Sequence, residues 1–194
     1  MPKIDTKERI LTAGADLVHS KGFNNTGIKE ILDLAGVPKG SFYFYFPSKE
    51  AFGAELVEHY ARSVGSSAMA VLRDGSLPPL ERYRRFLLGF EEIFAEQGFS
   101  KGCPIGNLCQ EMGDLSGTMR DKLAEVIGRM AGAVESVLRE AVDAGEVSPD
   151  LDAAETARFL LASWQGSILL AKVDKSLEPM RRFRRMALDK LLKP

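Results

Sequence analysis

Among 194 residues there are two cysteines, two histidines and one tryptophan. Two cysteines, Cys103 and Cys109, are too few for a disulfide framework, so a reducing cytoplasm is the expected compartment. His19 and His59 lie far apart, without the spacing of a metal site, and no cofactor is expected. Long apolar runs are missing. The longest, Phe159 to Ala171, is interrupted by Gln165 and is too short to span a bilayer, which argues against a membrane partner. The first residues are polar and charged, without the apolar segment of a secretory leader. Alternation with period two is absent, so no strands are expected, and no internal repeat is present.

A bulk charge of one sign is lacking too. The net charge is −1, which argues against non-specific attraction to nucleic acid. Its distribution is uneven: residues 1–50 carry a net +1, residues 51–171 a net −7 and residues 172–194 a net +5. With 45% hydrophobic and 27% charged residues, the composition is that of an ordinary globular protein.

What is present is helical periodicity. Asp5-x-x-Glu8 is an acidic version of a capping box, and it opens a helix with Ile10, Ala13, Gly14, Leu17 and Val18 inward and Gly22 at its end. Thr26 is a good N-cap for a short second helix with Ile28, Ile31 and Leu32 inward. Ala35-Gly36-Val37 makes a tight turn, and Pro38 suits the first turn of a third helix that ends at Pro47-Ser48. Two short helices joined by a glycine turn form a helix-turn-helix. A long helix follows from Lys49 to about Leu72, and another from Pro78-Pro79 to about Gln97. Residues 99–117, rich in glycine, read as irregular. Three more helices follow: a long amphipathic one carrying Met119, Leu123, Ile127, Met130, Val134, Leu138 and Ala141; one opened by Asp152; and a last from about Glu178 to Leu192. The last turns Met180, Phe183, Ala187 and Leu191 inward and Arg181, Arg182 and Arg185 outward. The fold class is all-α, with residues 1–48 as a three-helix helix-turn-helix head and residues 49–194 as a larger helical body.

The helix opened by Asp152 is apolar on two sides. Leu160, Trp164 and Ile168 lie along one, and Phe159, Ser163, Gly166 and Leu170 along the other. A helix apolar most of the way round is buried on most sides. The last two helices are therefore expected to pack on a second copy, and a two-fold dimer suits a helix-turn-helix reader of a palindromic operator.

The most informative segment runs from Gly36 to Glu50. It holds the aromatic run Phe42-Tyr43-Phe44-Tyr45-Phe46, enclosed by Lys39, Ser41 and Lys49. A helix that packs on one side and grips a polyanion on the other needs that mixture, because phosphate takes donors from lysine, hydroxyl and phenol. Phe42 and Phe46 are read as anchors, and Tyr43 and Tyr45 as phosphate contacts.

At this point the chain resembles the TetR family of bacterial one-component transcriptional regulators. The resemblance is carried by Ile10-Leu11, Ala15, Leu17, Gly22-Phe23, Thr26, Ile31, Ala35-Gly36-Val37, Lys39-Gly40-Ser41-Phe42-Tyr43, Phe46 and Ser48-Lys49-Glu50-Ala51. It implies a homodimer with a DNA-binding head and a variable body that takes an effector. Carried over by position, the implied contacts to double-stranded DNA are Thr26, Lys39, Ser41, Tyr43, Tyr45 and Lys49. Position 45, often His in relatives, holds Tyr45, whose phenol still donates to phosphate.

A narrower resemblance is to the branch that includes N-ethylmaleimide- and hypochlorite-responsive repressors. Gly102-Cys103-Pro104-Ile105-Gly106-Asn107-Leu108, Glu111, Asp114-Leu115-Ser116, Ala171-Lys172 and Ser176-Leu177-Glu178-Pro179 carry it, with a departure at Ile105-Gly106-Asn107. It implies that Cys103 reacts with an electrophile or oxidant and that Lys172 couples to the oxidised sulfur. Cys109 is a second candidate thiol, and both cysteines also read as small buried hydrophobes. A small apolar ligand in the body, against Phe90 and Trp164, is the other effector reading. Two further classes stay open. A thiol enzyme centred on Cys103 lacks a Cys-x-x-Cys and a nearby histidine base. An interaction protein that no longer binds DNA leaves Lys39, Tyr43 and Lys49 without a purpose.

Overall fold

The structure, a computed structural model, describes residues 5–194, and every regular element among them is helical. The elements are α1 (Thr6–Lys21), α2 (Ile28–Ala35), α3 (Gly40–Tyr45), α4 (Lys49–Leu72), α5 (Pro79–Glu96), α6 (Pro104–Met112), α7 (Gly117–Asp143), α8 (Ala153–Asp174) and α9 (Glu178–Met186), with a π-helical turn over Ala187–Leu191. No described helix is long and apolar enough to cross a membrane. The chain forms two compact units. The first comprises residues up to Val64 together with Pro104–Val126; the second comprises Gly65–Cys103 and Ile127–Pro194. Unit 1 extends past the 48-residue head read from sequence, because the first part of α4, α6 and the start of α7 belong with it.

Unit 1 is built on α1. Its apolar residues fall at helical spacing, and Ile10, Leu11, Ala13 and Val18 are buried. Gly14 sits mid-helix for want of space: a Cβ there would lie 2.3 Å from Phe52 Cζ. The turn between α2 and α3 closes on Gly36 in the left-handed conformation, φ 63° and ψ 42°, where glycine meets no Cβ penalty. Arg9 ties that turn to α1 by donating from Nη2 to Ala35 O at 2.6 Å and Gly36 O at 3.1 Å.

Several expectations are corrected. The capping box is half formed: the Asp5 carboxylate accepts from Lys7 N, while Glu8 pairs with His59 at 3.1 Å. Gly27, not Thr26, is the N-cap of α2. Residues 104–112, read as irregular, are α6: Pro104 stands at a helix start, where its missing N–H costs nothing. Burial of Ile105, Leu108 and Met112 sustains the helix in spite of its glycine. The end of the chain departs from α-helical phase. The π turn, closed by Leu192 N donating to Ala187 O at 2.8 Å, inserts an extra residue per turn. Leu188 and Leu192 are buried as a result, and Leu191, expected inward, is 43% exposed.

In unit 2, Tyr83, Leu87 and Phe94 of α5, Leu160, Trp164 and Ile168 of α8, and Met180 of α9 are buried. Its buried charges are paired. Arg82 donates to Leu72 O at 3.0 Å and to Glu140 at 2.5 Å, and Arg184 donates to Glu91 Oε1 at 2.9 Å. Arg185, expected outward, pairs with Glu178 at 2.7 Å.

Candidate nucleic-acid interface

Helix α3 is six residues long, and its two sides differ in chemistry. Phe42 and Phe46 have no exposed surface. Their ring centroids lie 5.3 Å apart, and each lies against Phe52 of α4, at 5.5 and 5.2 Å. They are the anchors read from sequence. Tyr43 is 65% exposed, Lys39 is exposed, and Ser41 and Tyr45 are half-buried. The structure therefore brings Lys39, Ser41, Tyr43 and Tyr45 together on one short helix and its N-cap, as donors held in place by two buried rings.

The two other expected contacts are used differently. Thr26 has no exposed surface, and its hydroxyl donates to Gly22 O at 2.6 Å. It closes the turn between α1 and α2. Lys49 donates from Nζ to Phe23 O at 2.8 Å and lies 4.7 Å from the centre of the Phe23 ring. Burial pushes its pKa down, opposed by the nearby Glu111 carboxylate. It acts as a strut on the same turn.

Glu111 of α6 holds that turn from the other side. Its carboxylate accepts from Phe23 N at 2.8 Å and from Asn24 N at 2.7 Å. An ionised acceptor on two backbone donors makes strong hydrogen bonds. Ser116, ahead of α7, donates to the Glu50 carboxylate at the start of α4 and accepts from Met119 N at 3.1 Å. Sequence reasoning gave Arg9 no role and quoted Glu111 only as part of a resemblance; neither lies near the contact residues in sequence.

Of the candidate effector residues, Cys103, Lys172, Phe90 and Trp164 belong to unit 2. In unit 2, Lys101 to Cys103 run along α8. Gln165 Nε2 donates to Cys103 Sγ at 3.4 Å, a Cβ on Gly102 would lie 3.2 Å from Ile168, and Lys172 Nζ donates to Lys101 O at 3.4 Å. Cys103 is 7% exposed. Gln165, which donates to Cys103, and Lys172, which donates to Lys101 O, stand about 10 Å apart along α8 by its rise. Gln165, the residue beside the sulfur, is the polar residue that interrupts the apolar run from Phe159 to Ala171, and that interruption is the sequence signal for it. Cys109 lies on α6 in unit 1, and neither cysteine is in a disulfide. Phe90 meets Trp164 edge-on at 5.6 Å, and Trp164 also packs on Phe183 at 5.2 Å. Among the described residues no group of three or more His, Cys, Asp or Glu could hold a metal.

Known proteins match along most of the chain. A family model for bacterial regulatory proteins of the tetR family matches residues 10–56, and one for the tetracyclin repressor-like C-terminal domain matches residues 79–187. The transcriptional regulator AcuR of Cereibacter sphaeroides is 39% identical over 92% of this chain and 81% of its own. The HTH-type transcriptional repressor DhaR of Mycobacterium sp. is 30% identical over 99% of this chain and 95% of its own. The crystal structure of the reduced form of NemR from Escherichia coli superposes with a TM-score of 0.87 at 29% identity, covering 98% of each chain. With these matches spanning both its helix-turn-helix and its helical body, the chain belongs to the TetR family of DNA-binding transcriptional regulators.

Proposed function

We propose that this protein is a homodimeric repressor that binds a palindromic operator through α3 and is released by an effector acting on residues 49–194. The observation that carries the DNA half of the reading is the arrangement of α3, with two fully buried phenylalanines on one side and Lys39, Ser41, Tyr43 and Tyr45 available to phosphate. With a near-neutral head, affinity rests on a handful of phosphate contacts and falls with salt. Residues 1–48 supply the DNA contacts, and the protein works in the cytoplasm.

The second copy packs against α8 and α9. Supporting this, Phe159, Leu170 and Val173 of α8 and Met186 of α9 are more than half exposed in the single chain. An open apolar groove of about 360 Å³ lies between Phe159, Ser163, Phe183 and Leu191. Two heads held by such a dimer reach two major grooves one helical turn apart, about 34–36 Å.

Cys103 is the effector site that the geometry favours, because Gln165 aims an amide donor at its sulfur. N-ethylmaleimide would add by attack of the thiolate on the maleimide double bond, forming a carbon–sulfur bond while the neighbouring carbon takes a proton from water. Hypochlorous acid would transfer its oxygen to the sulfur, giving sulfenic acid and chloride. Either product is larger than the thiol in a buried place. We infer that the displaced segment biases α4, which runs from unit 1 into unit 2, and that the heads then no longer fit both half-sites. An apolar ligand against Phe90 and Trp164 is the second reading, and it requires separating rings already packed together. A gel shift with the protein's own upstream DNA is the test: a shift that N-ethylmaleimide reverses supports the reading. Release of a Cys103→Ser variant by the same reagent removes Cys103 as the sensor.

A further inference from the structure

Phe44 has no part in the phosphate grip, yet it is the most exposed large apolar residue described, at 81%. Its position in α3 explains why. At about 100° per residue, the buried Phe42 and Phe46 define the inward direction of the helix, and Phe44 stands diametrically opposite. Tyr43 and Tyr45 fall about a quarter-turn to either side of Phe44. Gly40 and Ser41, one turn earlier on the outward side, are small, and a Cβ on Gly40 would meet nothing within 4 Å. The Phe44 ring leans edge-on against Tyr45 at 4.9 Å, which fixes it without covering it.

Together with the exposed Tyr43 beside it, this ring makes a contiguous apolar patch, the kind of surface that marks an interaction site. On a helix that enters a major groove between phosphate-binding flanks, it is the side chain that reaches deepest. A phenyl ring offers no hydrogen bond, so it cannot read the donors and acceptors of the base edges. The apolar feature that the major groove displays is the C5-methyl of thymine.

We propose that Phe44 is a specificity residue that reads a thymine methyl at the centre of each operator half-site, while Lys39, Ser41, Tyr43 and Tyr45 hold the helix on the backbone. This rests on the DNA-binding reading and deepens it. The experiment uses the full chain and a duplex of its own upstream DNA, with each thymine replaced in turn, symmetrically in both half-sites, by deoxyuridine, which removes only the methyl. Binding is followed by fluorescence anisotropy at fixed salt. Wild type is expected to lose about fourfold per half-site at one thymine, the worth of one buried methylene-sized group. Phe44→Ala, checked for unchanged helicity and mass in solution, is expected to bind more weakly and to be indifferent to that replacement. Wild type that binds every deoxyuridine duplex as it binds thymine overturns the inference, and so does a Phe44→Ala variant that keeps the wild-type discrimination. Both results leave DNA binding intact. A wild type that does not bind its upstream duplex at low salt overturns the underlying reading, and this inference with it.

Discussion

Tyr43 and Thr26 show how a single residue's surroundings decide its task. Both were expected at the DNA from sequence. Tyr43 is 65% exposed beside the buried Phe42, at 5.4 Å between ring centres, so its phenol is presented by an anchored neighbour. Tyr43→Phe removes the hydroxyl and little else. It is expected to weaken operator binding by at least about tenfold, the worth of a hydrogen bond to a charged group, with the thermal midpoint unchanged. Thr26 is expected to do the reverse. Thr26→Val leaves the valine shape but no donor for Gly22 O, and should cost about 1–3 kcal/mol of stability, read by denaturant unfolding. The difference between the two was not legible in sequence, because burial of position 26 depends on how the turn between α1 and α2 folds back. The anchoring of Phe42 and Phe46 was legible, since two rings four residues apart share a helical face.

At the level of elements, α6 had the least visible sequence and has a large structural part. Gly102, Pro104, Gly106 and Gly113 read as loop, and local propensity is overridden by the burial of Ile105, Leu108 and Met112. Its Glu111 accepts from two backbone amides of the turn between α1 and α2. Glu111→Ala leaves both donors without that acceptor. It should speed hydrogen exchange at the Phe23 and Asn24 amides and lower stability by about 1–3 kcal/mol. Exchange at those amides equal to wild type would show that the carboxylate does not hold the turn. The periodic elements, α1, α4, α5, α7 and α8, were legible because their apolar spacing persists for several turns. The end of α9 was not, because a single π turn shifts the phase by one residue, exchanging Leu191 for Leu188 and Leu192 inside.

For the whole molecule, the exposed apolar side of α8 is what demands a partner. Phe159 and Leu170 lie on the side read as a second apolar face, and both stay uncovered in the single chain. A Phe159→Asp, Leu170→Asp double variant is expected to run as a monomer by analytical ultracentrifugation and to bind a two-half-site operator far more weakly than wild type. A dimer of unchanged affinity would place the interface elsewhere. The effector was the least legible part of the function. The sequence pointed to Cys103 with Lys172, and the structure adds Gln165, which donates a hydrogen bond to the sulfur. Whether α3 grips operator phosphate through a few donors is read most directly from the salt dependence of affinity for the upstream operator, in wild type and in Lys39→Ala. Wild type should bind saturably at low salt, with log affinity falling linearly as log salt rises. In Lys39→Ala the slope should be smaller by about two, because one phosphate per head, and so two per dimer, is no longer neutralised. An unchanged slope in the variant would remove Lys39 from the grip, and no binding by wild type at low salt would remove the grip itself.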